Sequence, residues 1–413
     1  MAIVRPFKAI RPANEQAFQV VSLPYDVMNR AEATNMAEGN PNSFLHICRS
    51  EIDLPPGTDP YTKEVYEKAK SNLATFLENG TMIQDETPML YIYKQVMNGR
   101  PQTGIVGCVS IDDYQNNVIK KHEFTRVEKE IDRINHFDIC NANTEPVFLT
   151  FRNDKRVKTL VEGWISSHKP AFDIVGGDGV GHALWVIDDG KVIDSLTRLF
   201  AEIQALYIAD GHHRSASAVK VGLKRREAFP DYTGEEEFNR FMAVIFPDED
   251  LKIFDYNRVV KDLNGLSVPV FLNKIGEKFK IEEKGNVPYT PECKQAFAMY
   301  LENTWYKLVV KPEFINEEDL IQSLDVSVLQ DYVLGPVLGI QDPRTDKRID
   351  FVGGIRGLKE LERRVSHDMK VAFALYPVDI ADLLAVSDHD MVMPPKSTWF
   401  EPKLGSGLFV HQL

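Results

Sequence analysis

The spacing of apolar residues along the chain predicts a mixture of helices and strands. Between residues 61 and 79, apolar side chains recur at three- and four-residue intervals, and Gly80 follows the last of them. This spacing places them on one face of an amphipathic helix that ends at the glycine. Short apolar or alternating runs predict strands, which before residue 250 lie at 20–23, 43–49, 89–95, 104–111, 118–120, 146–151, 183–187, 205–209 and 241–246. Asn98-Gly99 predicts a hairpin between the strands 89–95 and 104–111.

A change in composition at residues 264–269 predicts a domain boundary. Helices are expected at 31–38, 123–137, 216–227, 272–279 and 358–365, and further strands at 305–310, 348–352 and 371–376. Because helices and strands do not alternate strictly, the pattern favours an α+β fold with a mixed sheet over a doubly wound parallel sheet. We therefore expect one domain over residues 1–265 and a second, smaller α+β domain over residues 266–413 with an irregular tail.

Composition narrows the possible partners. The chain has 413 residues and a formal net charge of −13. Broad contact with nucleic acid requires a basic surface, so this charge argues against a nucleic-acid partner but allows a local basic pocket for a small anion. No apolar stretch reaches the about 18 residues that span a bilayer, and residues 1–11 lack a signal peptide's apolar run. We expect a cytoplasmic protein without a membrane partner, whose scattered cysteines are reduced thiols.

The strongest candidate for chemistry is the turn Asp210-Gly211-His212-His213-Arg214, which follows the strand predicted at 205–209. Glycine permits a sharp turn and a close approach of the backbone to a ligand. A helix that begins near His212 would point its free N–H groups and its positive dipole end into the turn. Together with two imidazoles and a guanidinium, this arrangement suits a phosphate. Two alternatives stay open: Asp210 caps the helix, or His212 and His213 bind a metal, although adjacent side chains on a helix diverge.

A second candidate is the charged segment 120–133. On a helix, one face of this segment would carry His122, Arg126, Lys129 and Arg133. The functional interpretation is that His122, Arg126 and Arg133 complete a basic pocket, with Glu123 as a general base or a magnesium ligand. The competing interpretation is a solvated helix held by salt bridges.

Three weaker candidates are short polar motifs: Pro24-Tyr25-Asp26, His46 with Arg49 and Glu51, and the proline-rich stretch 394–400 with Lys396. Two familiar nucleotide motifs are missing. No GxGxxG follows a strand, and the glycines at 176–179 lack the Gly-Lys-Ser/Thr end of a P-loop. A classical dinucleotide fold and a P-loop are therefore unsupported.

Several of these motifs resemble an uncharacterised bacterial and archaeal family, the domain of unknown function numbered 1015. They are Leu23-Pro24-Tyr25-Asp26-Val27, Asn40-Pro41 with Phe44-Leu45-His46, Lys121-His122-Glu123 with Thr125-Arg126, residues 209–214, and residues 394–403 with Gly407-Leu408. They occur in the right order over nearly the full length, so the chain is identified as a member.

The turn at 210–214 is also similar to the phosphate-binding turn of the ParB/sulfiredoxin superfamily. In that superfamily the turn begins a helix and binds nucleotide phosphates. By that resemblance Gly211, His213 and Arg214 would contact phosphate, in a ParB/sulfiredoxin-like nucleotide-binding domain over residues 1–265. By the same resemblance, His212 stands at the position of the sulfiredoxin cysteine, so we do not expect thiol chemistry. The superfamily includes free-serine kinases that use ADP or ATP, and genes of the present family commonly lie beside phosphoserine-pathway genes.

The resulting hypothesis is a phosphotransferase on a small metabolite: a serine kinase, or a phosphoserine-processing enzyme, that uses ADP or ATP with Mg²⁺. Glu123 and His213 would be the catalytic residues, because a carboxylate takes the hydroxyl proton and an imidazole stabilises the developing charge. Phosphate would bind at residues 210–214, and His122, Arg126 and Arg133 would hold the substrate. The alternative is a non-catalytic nucleotide-binding regulator. The oligomeric state and the role of the second domain are left open.

Overall fold

The computed structural model describes residues 1–413, which form two compact units. The first unit contains residues 1–121, 125–251 and 402–413, and the second contains residues 122–124 and 252–401. The boundary expected after residue 265 therefore lies inside the second unit. The polar stretch that suggested this domain boundary contains a turn before the helix Val268–Lys278. In this turn, Asn264 and Gly265 have φ of 55° and 75°.

The first unit is built on a nine-stranded sheet that contains both parallel and antiparallel pairs. Neighbouring strands in spatial order are Ile119–Lys120, Leu206–Asp210, Val147–Phe151, Arg240–Pro247, Arg100–Ser110, Leu90–Met97, Gly181–Ile187 and Phe172–Val175, and Val4–Arg5 pairs with Arg100–Ser110. The hairpin at Asn98-Gly99 is confirmed, since both residues have positive φ. The mixed sheet confirms the α+β class.

The main helices of the first unit are Arg30–Ala37, Leu45–Cys48, Lys63–Glu78, Ile111–Gln115, Val127–Cys140, Lys155–Ser167, Gly190–Glu202 and His212–Ala228. Lys63–Glu78 is the amphipathic helix predicted from the sequence, with Val65, Ala69, Leu73 and Phe76 buried. No helix in the structure combines the length and apolar character needed to cross a membrane.

Two strand predictions in the first unit are wrong. In the segment 20–23, Val20 ends a helical turn, Ala17–Val20, and Ser22 forms a single bridge to Ser406. Residues 43–49 contain the helix Leu45–Cys48. Their apolar residues at 44, 45, 47 and 48 are all buried, and this spacing matches one face of a helical turn better than the alternation of a strand.

The helix predicted at 123–137 begins later, at Val127, and ends at Cys140. Arg126 has extended backbone dihedrals (φ −96°, ψ 130°), so it and His122 precede the helix. The prediction that His122, Arg126, Lys129 and Arg133 share one helical face is therefore wrong. Only Lys129 and Arg133 lie on the helix.

The C-terminal residues 402–413 complete the first unit, and we call them the return segment. Its strand Val410–Gln412 pairs with Ala9–Pro12 and with Ala142–Asn143 in a small four-stranded sheet, in which Met82–Gln84 is the other edge. The return segment is therefore partly regular, whereas the sequence predicts an irregular tail. Gly407 has φ of 86°, and a Cβ there would lie 2.6 Å from Phe44 Cβ, so this turn requires glycine.

The second unit has an antiparallel six-stranded sheet. Its spatial order is Phe279–Gly285, Thr304–Val310, Ala296–Leu301, Val371–Ala374, Tyr256–Val260 and Ile349–Gly353. Its helices are Val268–Lys278, Asp325–Leu329, Leu358–His367 and Ile380–Asp388, with a π-helical turn at Gln330–Leu334. A two-stranded ribbon joins Ile253–Phe254 to Trp399–Phe400.

The helix His212–Ala228 packs closely enough to require glycine at position 222. A Cβ on Gly222 would lie 2.4 Å from the Phe238 carbonyl oxygen and 2.8 Å from Ile111 Cδ1. We expect Gly222→Ala to lower the free energy of unfolding by about 1–3 kcal/mol, measured by denaturant titration. Gly163→Ala is the matched control on another helix, since nothing lies within 4 Å of its Cβ. It should raise stability by about 0.5–1 kcal/mol, and equal effects of the two variants would contradict this packing.

Asp325 makes the stability of the second unit depend on pH. The carboxylate is buried, accepts a hydrogen bond from the Gln295 N–H (2.7 Å), and burial raises its pKa from 3.8 to about 7. Between about pH 4 and pH 7 the folded state keeps a proton that the unfolded state has lost, so the free energy of unfolding falls as pH rises.

Asp325→Asn keeps an acceptor for Gln295 and removes the charge. At pH 8 the variant should be more stable than wild type by at most about 4 kcal/mol, and the difference should vanish near pH 4. Thermal melts at pH 4, 6 and 8 measure this difference in stability. Glu318→Gln, at an exposed position, is the control. A difference that does not change with pH would show that Asp325 is ionised throughout.

Candidate functional site

The turn at 210–214 joins an interior strand to a helix, as the sequence predicts. Leu206–Asp210 lies between Ile119–Lys120 and Val147–Phe151, and the helix His212–Ala228 follows directly. Gly211 has φ of 93° and provides no capping side chain. The first-turn N–H groups of this helix have no acceptor within the helix, so the turn presents donors and a positive dipole end.

Asp210 does not cap this helix. Its carboxylate accepts a hydrogen bond from the Gly211 N–H (2.7 Å) and forms an ion pair with Lys403 Nζ at 3.0 Å. Burial would raise the pKa of this carboxyl, but Lys403 and Arg214 hold it well below its usual range. Asp210 therefore anchors the return segment beside the turn.

Arg214 lies under the turn and is only 3% exposed. Its Nη1 donates to the Pro146 carbonyl oxygen (2.8 Å), whereas its nearest ion-pair contact, to Asp210, is long at 3.9 Å. Its Nε has no hydrogen-bond partner although it is buried. A Cβ on Gly211 would lie 3.1 Å from this Nε, so glycine is what allows the guanidinium to lie against the turn.

Arg133 is a second buried guanidinium, 4% exposed. Its Nε donates to the Asp132 carboxylate (3.1 Å), and its Cζ lies 3.9 Å from the centroid of the Tyr25 ring. Its Nη1 has no hydrogen-bond partner, and the nearest carboxylate oxygen, Glu145 Oε2, is 3.6 Å away. Burial alone would lower the pKa of Arg133, but Asp132, Tyr25 and Glu145 raise it above its ordinary value.

Glu145 lies between these two guanidiniums. Its Oε1 accepts hydrogen bonds from the Tyr25 N–H (3.2 Å) and from Ser406 Oγ (2.7 Å), while Oε2 is buried without a hydrogen-bond partner. Burial raises the pKa of Glu145 despite the opposing effects of Arg214 and Arg133. The carboxylate therefore ties the Pro24-Tyr25-Asp26 motif and the return segment to the site.

A third guanidinium, Arg49, holds the same motif from the other side. Its Nη1 donates to the Tyr25 carbonyl oxygen (3.1 Å), its Nη2 lies 2.8 Å from Glu51 Oε1, and its buried Nε has no hydrogen-bond partner. Asp26 is exposed, and its charge contributes to raising the pKa of Arg214. We call Arg49, Arg133 and Arg214 the guanidinium cluster.

The guanidinium cluster is not an open basic patch, because carboxylates accompany its cations. The pairs are Arg49 with Glu51, Arg133 with Asp132, and nearby Lys403 with Asp210. What distinguishes the cluster is one buried N–H donor atom on each of its three guanidiniums that no acceptor of the protein satisfies. An oxyanion is the ligand that fork-shaped guanidinium donors fit best.

The residues predicted to form the site belong to both units. His213, Arg126 and Arg133 lie in the first unit with the turn, and the Arg126 N–H donates to His213 Nε2 at 2.9 Å. This bond assigns the proton of a neutral His213 ring to Nδ1. The side chain of Arg126 is exposed. His122 and Glu123 belong to the second unit, where the His122 carbonyl oxygen accepts from the Met393 N–H (2.9 Å).

Three important residues of the site carry weak or no sequence signals. No sequence motif points to Glu145, although a charged residue two positions before the wholly buried strand Val147–Phe151 is a usable signal. Lys403 appears only as the last residue of the family motif at 394–403. Arg49 was a weaker candidate with His46, whose ring instead pairs with Asp53 (2.7 Å). No group of three or more His, Cys, Asp or Glu side chains is placed to hold a metal ion.

A comparison with known protein families shows which family the chain belongs to. The model of DUF1015, described as a protein of unknown function, matches residues 4–327. The chain belongs to the DUF1015 family. The matched range includes the guanidinium cluster and Gly211. The residues between 394 and 408 that resemble the family's motifs lie beyond this range. No curated protein sequence is significantly similar to the chain.

Solved structures resemble this DUF1015 protein only distantly. A conserved hypothetical protein from Pyrococcus furiosus is 15% identical, with 74% of this chain and 95% of that chain covered and a TM-score of 0.35. A free serine kinase in complex with AMP is 14% identical (73% and 92% covered, TM-score 0.35). SbnI with a C-terminal truncation, from Staphylococcus aureus, is 11% identical (74% and 87% covered, TM-score 0.38). Similarities of this size do not transfer a ligand or a reaction.

Proposed function

We propose that the protein is a phosphotransferase that moves a phosphoryl group from ADP or ATP to the hydroxyl of a small metabolite, with L-serine as the first candidate. The observation that supports this proposal is the set of unpaired N–H donors on the guanidinium cluster beside the Gly211 turn. A transferring phosphoryl group spreads negative charge over its oxygens, and fixed donors in a water-poor site stabilise that charge.

In this proposal the chain's residues hold the donor phosphates and remove one proton. The main-chain N–H groups after Gly211 and the guanidinium of Arg214 bind the phosphates, Arg133 binds the phosphorylated product, and His213 donates from Nδ1 to the developing charge. The substrate hydroxyl oxygen attacks the terminal phosphorus as the bond to the leaving ADP or AMP breaks. The hydroxyl proton passes to a carboxylate.

Two carboxylates are candidates for that base. Glu123 is the candidate from the sequence, with His122 and Arg126 as substrate contacts. Asp26 is the candidate from the structure, because it is exposed and its charge reaches Arg214. Mg²⁺ in phosphoryl transfer is held by substrate phosphates and one or two carboxylates, and Asp26, an exposed carboxylate whose charge acts on Arg214, is the candidate for such a role.

The test is product formation. The full chain is incubated with L-serine, Mg²⁺ and either ADP or ATP, and phosphoserine is followed by phosphorus NMR, in both reaction directions. Loss of the base should lower the rate by about 10²–10⁴-fold with nucleotide binding retained, so Asp26→Asn and Glu123→Gln identify which carboxylate acts. The proposal fails if no small hydroxylated metabolite is phosphorylated and phosphoserine is not consumed. Nucleotide binding without turnover would identify a regulator instead.

A further inference from the structure

The second unit contains a buried guanidinium that no carboxylate neutralises. Arg258 lies on Tyr256–Val260, an interior strand of the six-stranded sheet, and is 3% exposed. Its hydrogen bonds go to two main-chain carbonyl oxygens, of Tyr256 and of Pro395, the latter at 3.4 Å. Its Cζ lies 5.3 Å from the centroid of the Phe351 ring. Burial lowers the pKa of Arg258 to about 10, and only Tyr256, not a carboxylate, opposes that shift.

A second cation, Lys396, lies over the ring of Tyr256, whose carbonyl oxygen Arg258 bonds. Lys396 Nζ is 5.4 Å from the centroid of the Tyr256 ring. Lys396 has φ of 58°, a left-handed conformation that a lysine rarely adopts. The loop around it is fixed by Ser397, which is buried and donates to the Pro394 carbonyl oxygen at 2.6 Å. The loop that Arg258 bonds through the Pro395 carbonyl oxygen thus carries the next residue, Lys396, in a strained backbone conformation.

Carboxylates near this pair are engaged elsewhere. Asp255 accepts a hydrogen bond from Asn257 Nδ2 at 2.5 Å, and burial raises its pKa, which is the opposite of what a neighbouring guanidinium would do. Uncompensated burial of a charged guanidinium is unfavourable. The guanidinium cluster of the first unit has acidic partners, whereas Arg258 and Lys396 have none.

We propose that Arg258 and Lys396 form a separate binding site in the second unit for an oxyanion, the carboxylate or phosphate group of a small metabolite. Arg258 supplies the planar fork that matches two oxyanion oxygens, and Lys396 supplies a point charge from the adjacent loop. The buried charge is then neutralised by the ligand instead of by the protein. This site is independent of the proposed phosphoryl transfer.

The competing explanation is structural: Arg258 holds the 394–398 loop through the Pro395 carbonyl oxygen. Arg258→Met separates the two, because methionine preserves the apolar stem and removes the charge. Melting temperatures of the full chain are measured in anion-free buffer and with added inorganic phosphate or acetate, and phosphate binding is measured by calorimetry. Arg344→Met is the control, an exposed arginine of the same unit that is paired with Asp342.

We expect Arg258→Met to melt at the same temperature as wild type or higher without anion, and to lose one class of phosphate or acetate sites while the site of the first unit persists. Protection of wild type by phosphate alone would assign a phosphate ligand, and protection by both anions would assign the shared oxyanion chemistry. The proposal is overturned if Arg258→Met melts lower and the anion-dependent rise in melting temperature is unchanged, or if neither anion protects wild type.

Lys396→Met provides a second variant in case Arg258→Met does not fold. Lys396 is half-buried and forms no ion pair, so its removal should leave the melting temperature in anion-free buffer unchanged. Its loss should weaken the same class of sites about tenfold, as expected for one charge-assisted contact. Unchanged affinity in this variant would exclude Lys396 from the site.

Discussion

Replacing Arg214 by methionine is expected to abolish binding of ADP, ATP and phosphate and to destabilise the first unit. The guanidinium supplies an unpaired buried donor at Nε and a bond to the Pro146 carbonyl oxygen. Its removal also leaves Glu145 with one fewer compensating cation. Breaking a buried charge arrangement from one side costs about 3–5 kcal/mol. Calorimetric titration measures the binding, and denaturant unfolding measures the stability.

The control for this prediction lies on the same helix. Lys224→Met removes a positive charge from an exposed position, where Lys224 pairs with Asp138. It should change the free energy of unfolding by at most about 1 kcal/mol and leave nucleotide affinity unchanged. Arg214→Met protein that still folds and binds nucleotide with wild-type affinity would refute the assignment of the turn as a phosphate site.

Replacing Glu145 by alanine should destabilise the first unit and make its stability depend on added phosphate. The substitution removes the acceptor for Tyr25 N–H and Ser406 Oγ, takes away a carboxylate whose charge acts on Arg133 and Arg214, and leaves a cavity. We expect a loss of about 3–5 kcal/mol without anion. Phosphate that enters the cavity would replace the missing charge, so the variant's melting temperature should rise with phosphate more than that of wild type.

Glu145→Gln is the matched variant because its amide oxygen still accepts from Tyr25 and Ser406. It should lose less stability than the alanine variant, since the amide keeps both hydrogen bonds. Its pH profile should also be flatter, because the wild-type carboxyl, whose pKa is raised by burial, costs stability progressively as pH rises above about 4. If phosphate protects Glu145→Ala no better than wild type, the cavity does not bind oxyanions.

Strong local patterns allowed much of the fold to be predicted from the sequence. The amphipathic helix Lys63–Glu78, the Asn98-Gly99 hairpin and the strand before Gly211 follow from spacing and turn chemistry. The strand prediction at 43–49 is wrong because the segment holds only one helical turn, too short to show a helical period, although its buried residues at 44, 45, 47 and 48 fit that turn. A domain boundary is expected at 265 because a polar turn and a linker have the same composition, but this position lies inside the second unit.

The site was only partly predictable because its parts come from distant segments. Asp210 and Arg214 are local to one turn, so their sequence is informative. Glu145, Arg49 and Lys403 join them only through tertiary packing, which periodicity does not encode. The sequence also does not show which of these side chains are buried. The sequence places Arg214 in a polar turn but does not show that its side chain is only 3% exposed, which is why its loss is expected to lower stability as well as binding.

The central claim is that the Gly211 turn and the guanidinium cluster bind the phosphates of a nucleotide. Titration calorimetry of ADP with Mg²⁺ into the wild-type full chain tests it most directly, repeated in the presence of excess inorganic phosphate. The account predicts one ADP bound per chain at the turn, with affinity reduced by competing phosphate. Absence of binding for ADP, ATP and phosphate alike would contradict it.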